Sequence, residues 1–158
     1  KNLETVLRAL VQTKNVHLLV AGRTRDNYYE RLAADLGVEK KVTFLGFRTD
    51  IPQILANSDI FVFPSRYEAC SISILEAVAA GLPIVTSAAA GGCEIAALAG
   101  GTVLESSENV EELSRAIQDL ADNDGARQMI KEQSSMIAKR FSWSSIIDNY
   151  SQILSKFE

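Results

Sequence analysis

Residues 59–86 read Asp59-Ile-Phe-Val-Phe-Pro-Ser-Arg-Tyr-Glu68-Ala-Cys-Ser-Ile-Ser-Ile-Leu-Glu76-Ala-Val-Ala-Ala-Gly-Leu-Pro-Ile-Val-Thr86. Ile60 to Phe63 is a short continuous apolar run stopped by Pro64, which reads as a buried strand ending in a turn. Residues 71–80 are small and apolar and read as a helix. Gly81 and Pro83 separate that helix from a second buried strand, Ile84 to Thr86. Strand, helix and strand in this order make a βαβ unit. Its strands are continuous apolar runs rather than alternating ones, because both faces of a parallel sheet are covered. Glu76 is the only charge between Ile72 and Val85. A carboxylate on so apolar a helix is expensive to bury without a partner, either an arginine or a ligand.

The same alternation extends both ways. Upstream, Leu3, Val6, Leu7, Leu10 and Val11 recur at helical spacing, so residues 2–13 are a helix, and Val16 to Ala21 is a strand ended by Gly22. A helix from Asp26 to Leu36 closes at Gly37, Val42 to Leu45 is a strand, and Asp50-Ile-Pro52 opens a helix with Asp50 as its cap. Downstream, Gly91-Gly92 opens a short helix to Leu98, Thr102 to Leu104 is the last strand, and helices follow at about 109–122 and 125–140. Ser142 caps a final helix, with Phe141 stapled onto Ile146. Ile146, Ile147, Tyr150, Ile153, Leu154 and Phe157 form one apolar stripe on it. That stripe packs either on this domain or on a domain outside the sequence. The expected fold is therefore α/β, with a parallel sheet covered by helices on both faces. Residues 1–140 form the domain, and 141–158 a terminal helix of the same domain.

Composition narrows the function. A chain of 158 residues, 47% apolar and 23% charged, is one globular domain. A net charge of −4 with no basic stripe argues against nucleic acid as a partner. No apolar run approaches the ~20 residues of a membrane span, and no signal peptide is read. Cys70 and Cys93 lack metal-ligand spacing and read as a reduced pair in a cytoplasmic protein. With a single histidine, His17, no metal site is expected. The first residues already read as a helix without an initiator methionine, so a fragment of a longer protein is expected.

In an open parallel sheet, ligands bind beyond the carboxyl ends of the strands. Here those ends carry Gly22-Arg-Thr24, Gly46-Phe47-Arg48, Ser65 to Glu68, and Ser87 to Gly92. Ala69, Cys70 and Ser71 lead into a helix N-terminus, where free N–H groups and the helix dipole favour an anion such as a diphosphate. Glu68 precedes that helix and Glu76 lies in its second turn. On an ideal helix they would stand about 80° apart, so both can face one cleft. Ionised carboxylates only accept hydrogen bonds, which suits hydroxyl-rich sugar and ribose rings. Sugar, phosphate and ribose together make a nucleotide sugar. Arg23, Arg25 and Arg48 either add positive charge near that site or are simply solvated.

From Val42 to Glu94 the sequence resembles the donor-binding domain of retaining glycosyltransferases of the GT-B fold, the group that includes glycogen synthase and sucrose synthase. That family's Glu-Gly-Phe-Gly-x-x-x-Leu-Glu-Ala-Met-Ala-x-Gly-x-Pro-Val is similar to Glu68-Ala-Cys-Ser-Ile-Ser-Ile-Leu-Glu76-Ala-Val-Ala-Ala-Gly81-Leu-Pro83-Ile. Val42-Thr-Phe-Leu-Gly46, Asp59 to Ser65, Gly91-Gly-Cys-Glu94 and Phe141-Ser-Trp143 match in order, and Lys1-Asn-Leu3 looks like the family's Lys-Gly/Asn-Leu step. The resemblance implies a Rossmann-like three-layer domain, one half of a GT-B fold. It also implies a hexosyltransferase with a nucleoside diphosphate sugar as donor substrate and no cofactor. Glu68 would bond hydroxyls of the transferred sugar, and Lys1 would grip the diphosphate. Backbone groups of Ala69, Cys70 and Ser71 would approach the phosphates. Glu76 would hold the ribose, and Gly46, Phe47 and Arg48 would meet the base. The implied partner is an N-terminal acceptor domain outside this sequence, with peripheral membrane association of the full enzyme a further possibility. Two departures stand out. Gly-Phe-Gly has become Ala69-Cys-Ser71, which removes backbone freedom at the phosphate loop. Cys93 replaces the usual proline of Gly-Gly-x-Pro-Glu. A nucleotide-sugar epimerase or phosphorylase-like enzyme of the same fold is the alternative activity. A non-catalytic module binding nucleotide or a protein is the alternative class.

Overall fold

In the computed structural model, which describes residues 1–24 and 26–157, the expected alternation is present from end to end. Arg25 lies outside the described residues. In chain order the elements are α1 (Leu3–Leu10), β1 (Leu18–Ala21), α2 (Tyr28–Asp35), β2 (Val42–Gly46), α3 (Ile51–Ala56), β3 (Phe61–Phe63) and α4 (Ile72–Ala79). They continue as β4 (Ile84–Ser87), α5 (Cys93–Leu98), β5 (Thr102–Leu104), α6 (Val110–Ala121), α7 (Asp124–Arg140) and α8 (Trp143–Leu154). Every strand pairing is parallel.

The strands form two parts rather than the single sheet expected. β1 pairs with β2, β4 lies between β3 and β5, and no ladder joins β1 to β3. The reason is visible between them: a cavity of about 840 Å³ separates the two facing edges.

Around β4 the layers are complete. Successive strand side chains point to opposite faces, so neighbouring residues enter different cores. Ile84 packs with Phe63, Ile74, Ala77, Val78 and Ala96, under α4, α5 and α7. Val85 packs instead with Leu104, Val6, Ala9, Leu113 and Ile117, under α1 and α6. A third cluster joins Leu7 and Leu10 of α1 to Ala33 and Val42, covering β1 and β2. Helix α1 therefore spans both parts of the sheet from one face.

Capping fixes the helix starts. Ser71, Asn109, Asn123 and Ser142 each accept a backbone N–H three residues on. Asp50 does not cap α3 as expected, because Arg48 takes its carboxylate through bonds of 2.8 and 2.6 Å. Helix α8 has its Ser142 cap but no buried residue. Trp143, Ile147, Tyr150, Ile153, Leu154 and Phe157 are all exposed.

Candidate functional site at the strand ends

The loop after β3 is held by the loop after β4. Thr86 and Ser87, polar residues at the end of an apolar strand, donate to the carbonyls of Phe63 (2.8 Å) and Ser65 (2.6 Å). Ser65 Oγ then donates to Tyr67 O at 3.0 Å. Glu68 forms a parallel bridge with Ala90, Gly91 N–H donates to Glu68 O at 2.7 Å, and Ser71 N–H donates to Gly91 O at 3.0 Å. The two loops run so close that a Cβ on Gly91 would sit 2.1 Å from Ala69 O. Glycine at 91 is thus a requirement of the approach between loops.

This zipper decides which N–H groups remain open. That of Ser71 is taken by Gly91, and that of Ile74 by Ser71 Oγ at 3.3 Å. Among the described residues, the N–H groups of Cys70, Ile72 and Ser73 meet no protein acceptor. They cluster at the positive end of α4, the geometry that favours an anion.

Lys1 meets this loop from the opposite side. Its ammonium forms an ion pair with Glu68 and lies 5.0 Å from the centroid of the Phe63 ring, within cation–π range. The Glu68 side chain is only 20% exposed, against 65% for Lys1, so the lysine is the partner more open to solvent. Buried Asn2 anchors the approach: it adopts a left-handed backbone, donates to Ser107 O at 2.6 Å and accepts from Thr5 Oγ1 at 2.9 Å. Arg66 is clamped outward by Glu108, with Glu4 at 4.0 Å. The Arg66 hydrogen bond holds the Glu108 carboxyl below the ordinary carboxylate range, and the same bond raises the guanidinium.

Glu76 corrects one expectation. It is exposed, because α4 buries Ile74, Ala77 and Val78 and turns position 76 to the flank. The burial cost that first marked it is not incurred here. Its position is informative nonetheless. Residues three and four apart share a helix face, so Glu76 stands beneath Ile72 and Ser73, whose N–H groups are open. Gly46, Phe47 and Arg48 form a separate group at the end of β2. Gly46 has φ +65°, its carbonyl accepts from Gly22 N–H at 2.8 Å, and Arg23 lies 5.0 Å from the Phe47 ring centroid. The Arg48 guanidinium is engaged by Asp50, whose carboxyl it holds below its ordinary range.

The structure thus brings Lys1, Glu68 and the open end of α4 together and sets Gly46-Phe47-Arg48 on the other part of the sheet. Sequence reasoning missed the parts played by Asn2, Phe63 and the Thr86 hydroxyl. Thr86-Ser87 was a legible signal, since two polar residues closing a buried strand need acceptors. Among the described residues no cluster of three or more His, Cys, Asp or Glu side chains could hold a metal, and no helix is long and apolar enough to cross a membrane. Both cysteines are free thiols.

Comparison with known proteins shows the family and the fold. Residues 1–136 match the family Glycosyl transferases group 1. The lipopolysaccharide glucosyltransferase WaaG of Escherichia coli is 35% identical over 105 residues, covering 66% of this chain and 28% of WaaG. The lipopolysaccharide core biosynthesis glycosyltransferase LpsE of Rhizobium meliloti is 31% identical over 158 residues, covering 98% of this chain and 46% of LpsE. The chain therefore spans less than half the length of either relative. The crystal structure of WaaG superposes with a TM-score of 0.86 at 28% identity, over 97% of this chain and 43% of WaaG. Anabaena HepE in complex with UDP superposes with a TM-score of 0.85 at 27% identity, over 99% of this chain and 45% of HepE.

Proposed function

The chain belongs to the Glycosyl transferases group 1 family and is a GT-B-type glycosyltransferase domain, and from that premise we propose that it holds the nucleoside diphosphate sugar donor of a retaining hexosyltransferase. The observation that carries the reading is the open N-terminus of α4, with N–H groups at Cys70, Ile72 and Ser73, between Glu68 on one side and Glu76 on the other. The diphosphate sits on those N–H groups and beside Lys1. The sugar hydroxyls donate to Glu68 and the ribose hydroxyls to Glu76. Phe47, with Arg23 over its ring, offers the base a flat surface. HepE, seen with UDP and with UDP-glucose, makes a uridine donor the first to test.

Departure of the diphosphate builds negative charge. A pre-oriented helix end and the Lys1 ammonium stabilise that charge more in the transition state than in the bound donor. Lys1 is already present but paired with Glu68. Donor binding would exchange that partner for phosphate oxygens and free Glu68 for the sugar. The acceptor is held by the remainder of the protein, which supplies the other wall of the cleft. The apolar stripe of α8 docks on that remainder. A cytoplasmic location suits two free thiols and this donor.

Calorimetry on the full-length protein with UDP, GDP, ADP and their glucose conjugates tests the reading. Glu76→Ala is expected to weaken every donor alike by about 1.5–3 kcal/mol, the worth of a charge-assisted bond. Absence of heat with all of them removes the donor role. Equal affinity in wild type and Glu76→Ala removes the ribose contact.

A further inference from the structure

Asn2 combines features that an ordinary helix start does not. Its backbone is left-handed, with φ 63° and ψ 41°, in the residue directly before α1. It is only 5% exposed. Its side chain reaches sideways: Nδ2 donates to Ser107 O at 2.6 Å, and Oδ1 accepts from Thr5 Oγ1 at 2.9 Å. An asparagine at this place ordinarily has an extended backbone and turns its oxygen onto a free N–H of the helix. Asn2 makes no such bond, so helix capping does not account for it. Asn15 and Asp26 also have positive φ, but both are exposed and simply turn the chain at the surface.

The neighbour of Asn2 supplies the reason. The Lys1 side chain is 65% exposed, so packing does not hold it. Its direction, over Phe63 and toward Glu68, is set from the backbone of the next residue. Most L-residues resist a left-handed backbone, whereas asparagine tolerates it. The two side-chain bonds then remove the remaining freedom. Ser107 lies between β5 and α6, in the segment whose Glu108 clamps Arg66 of the loop after β3. One segment thus holds both the residue beside Lys1 and the loop that leads to Glu68.

We propose that Asn2 is a positioning residue: its left-handed turn, locked on Ser107 and Thr5, presents the Lys1 ammonium to the diphosphate of the donor. This rests on the reading of Lys1 as a diphosphate contact. For Lys1 to exchange Glu68 for phosphate oxygens, its ammonium must swing while its backbone stays fixed, and Asn2 supplies the fixed end. A cation aimed in advance needs no reorganisation when charge develops. A misplacement of about 1 Å can forfeit roughly a hundredfold in rate.

Calorimetry on the full-length protein is the test, with whichever of UDP, GDP and ADP binds the wild type most tightly. Asn2→Ala is expected to weaken that nucleotide about tenfold, the scale of a charge-assisted contact. Added to Lys1→Ala, it is expected to weaken binding less than about twofold further, because the lysine it aims is gone. A purely structural role gives the same loss with or without Lys1. Asn2→Gly keeps the left-handed turn without a Cβ and is expected to recover most of the affinity that Asn2→Ala loses. Thr5→Val removes one of the two locking bonds at nearly constant shape and replaces Asn2→Ala if that variant does not fold. It is expected to weaken the nucleotide about threefold, an effect that vanishes beside Lys1→Ala. Binding of none of the nucleotides, or Lys1→Ala at wild-type affinity, removes the lysine contact and this inference together. Where Lys1→Ala does weaken binding, the inference alone falls if Asn2→Ala or Thr5→Val binds as wild type. It falls equally if their losses add to that of Lys1→Ala, or if Asn2→Gly binds as weakly as Asn2→Ala.

Discussion

Strands β1 and β4 carry nearly the same signal, Leu18-Leu-Val-Ala21 and Ile84-Val-Thr-Ser87, yet differ in burial. All four residues of β4 are buried, whereas β1 alternates half-buried and exposed. The difference lies in their neighbours. β4 has a strand on each side and helices on both faces, while β1 has β2 on one side and the cavity on the other. A continuous apolar run thus reports the surroundings a strand is built for, and not those it has in a given stretch of chain. Truncation separates the two directly. Ile84→Ala, at a position 1% exposed, is expected to cost about 2–5 kcal/mol in urea unfolding, because it leaves a cavity among well-packed neighbours. Leu19→Ala, at a position 42% exposed, is expected to cost under ~0.5 kcal/mol in residues 1–158 alone. Equal costs for the two substitutions would break the comparison.

The next effect concerns the closed part only. Gly91→Ala forces its Cβ against Ala69 O and Glu68 O, backbone atoms that cannot step aside singly. Two loop hydrogen bonds, worth about 1 kcal/mol each, and an overpacking strain of ~1–3 kcal/mol are at stake. The expected outcome is a loss of about 3 kcal/mol together with loss of nucleotide binding. Stability and binding unchanged together would show that the two loops are not coupled. The equivalent change at Gly46 meets no neighbouring atom but fixes an L-residue at φ +65°, so its cost is backbone strain alone.

Ser71 lies between these extremes. Ser71→Ala removes the cap on Ile74 N–H and should cost about 1 kcal/mol of stability. Ser71→Asp keeps a capping oxygen but adds a negative charge at the proposed diphosphate seat. It should therefore leave the urea midpoint near wild type while sharply weakening UDP in calorimetry. Equal binding by Ser71→Asp and wild type would move the phosphate site away from α4.

What the sequence made legible follows the same division. The βαβ order, the Ser142 cap, and the strand-end location of Glu68 could all be read, because each depends on local pattern. The break between β1 and β3 could not be read, since each strand's own residues look complete. Nor could the exposure of Glu76: a helix rich in alanine and isoleucine does not say which flank faces the core until its neighbours are placed. The pairing of Lys1 with Glu68, 67 residues apart, belongs to the same class. Asp50 shows the reverse case. Its cap position was legible, but Arg48, two residues away, competes for the carboxylate and wins through two bonds.

Those two Arg–carboxylate pairs give the smallest and sharpest contrast. Arg66–Glu108 ties the loop after β3 to the segment before α6, whereas Arg48–Asp50 ties a turn to itself. In both, the arginine hydrogen bond holds the carboxyl below its ordinary range. A depressed carboxyl contributes stability that is fully present above the ordinary carboxylate value and lost as pH falls through the depressed one. Both pairs are exposed, so the contribution is small and screened by salt. Only Glu108 joins distant segments, so only its protonation should loosen the closed part of the fold. Glu108→Gln is expected to flatten the acid side of the stability profile at low ionic strength, with the difference fading in added salt. Asp50→Asn should leave that profile unchanged, since its turn remains closed by chain connectivity. Urea midpoints of both variants near neutral pH and at about pH 4 decide the matter. Equal flattening by the two would mean that local charge, and not the bridge between loops, sets the acid response.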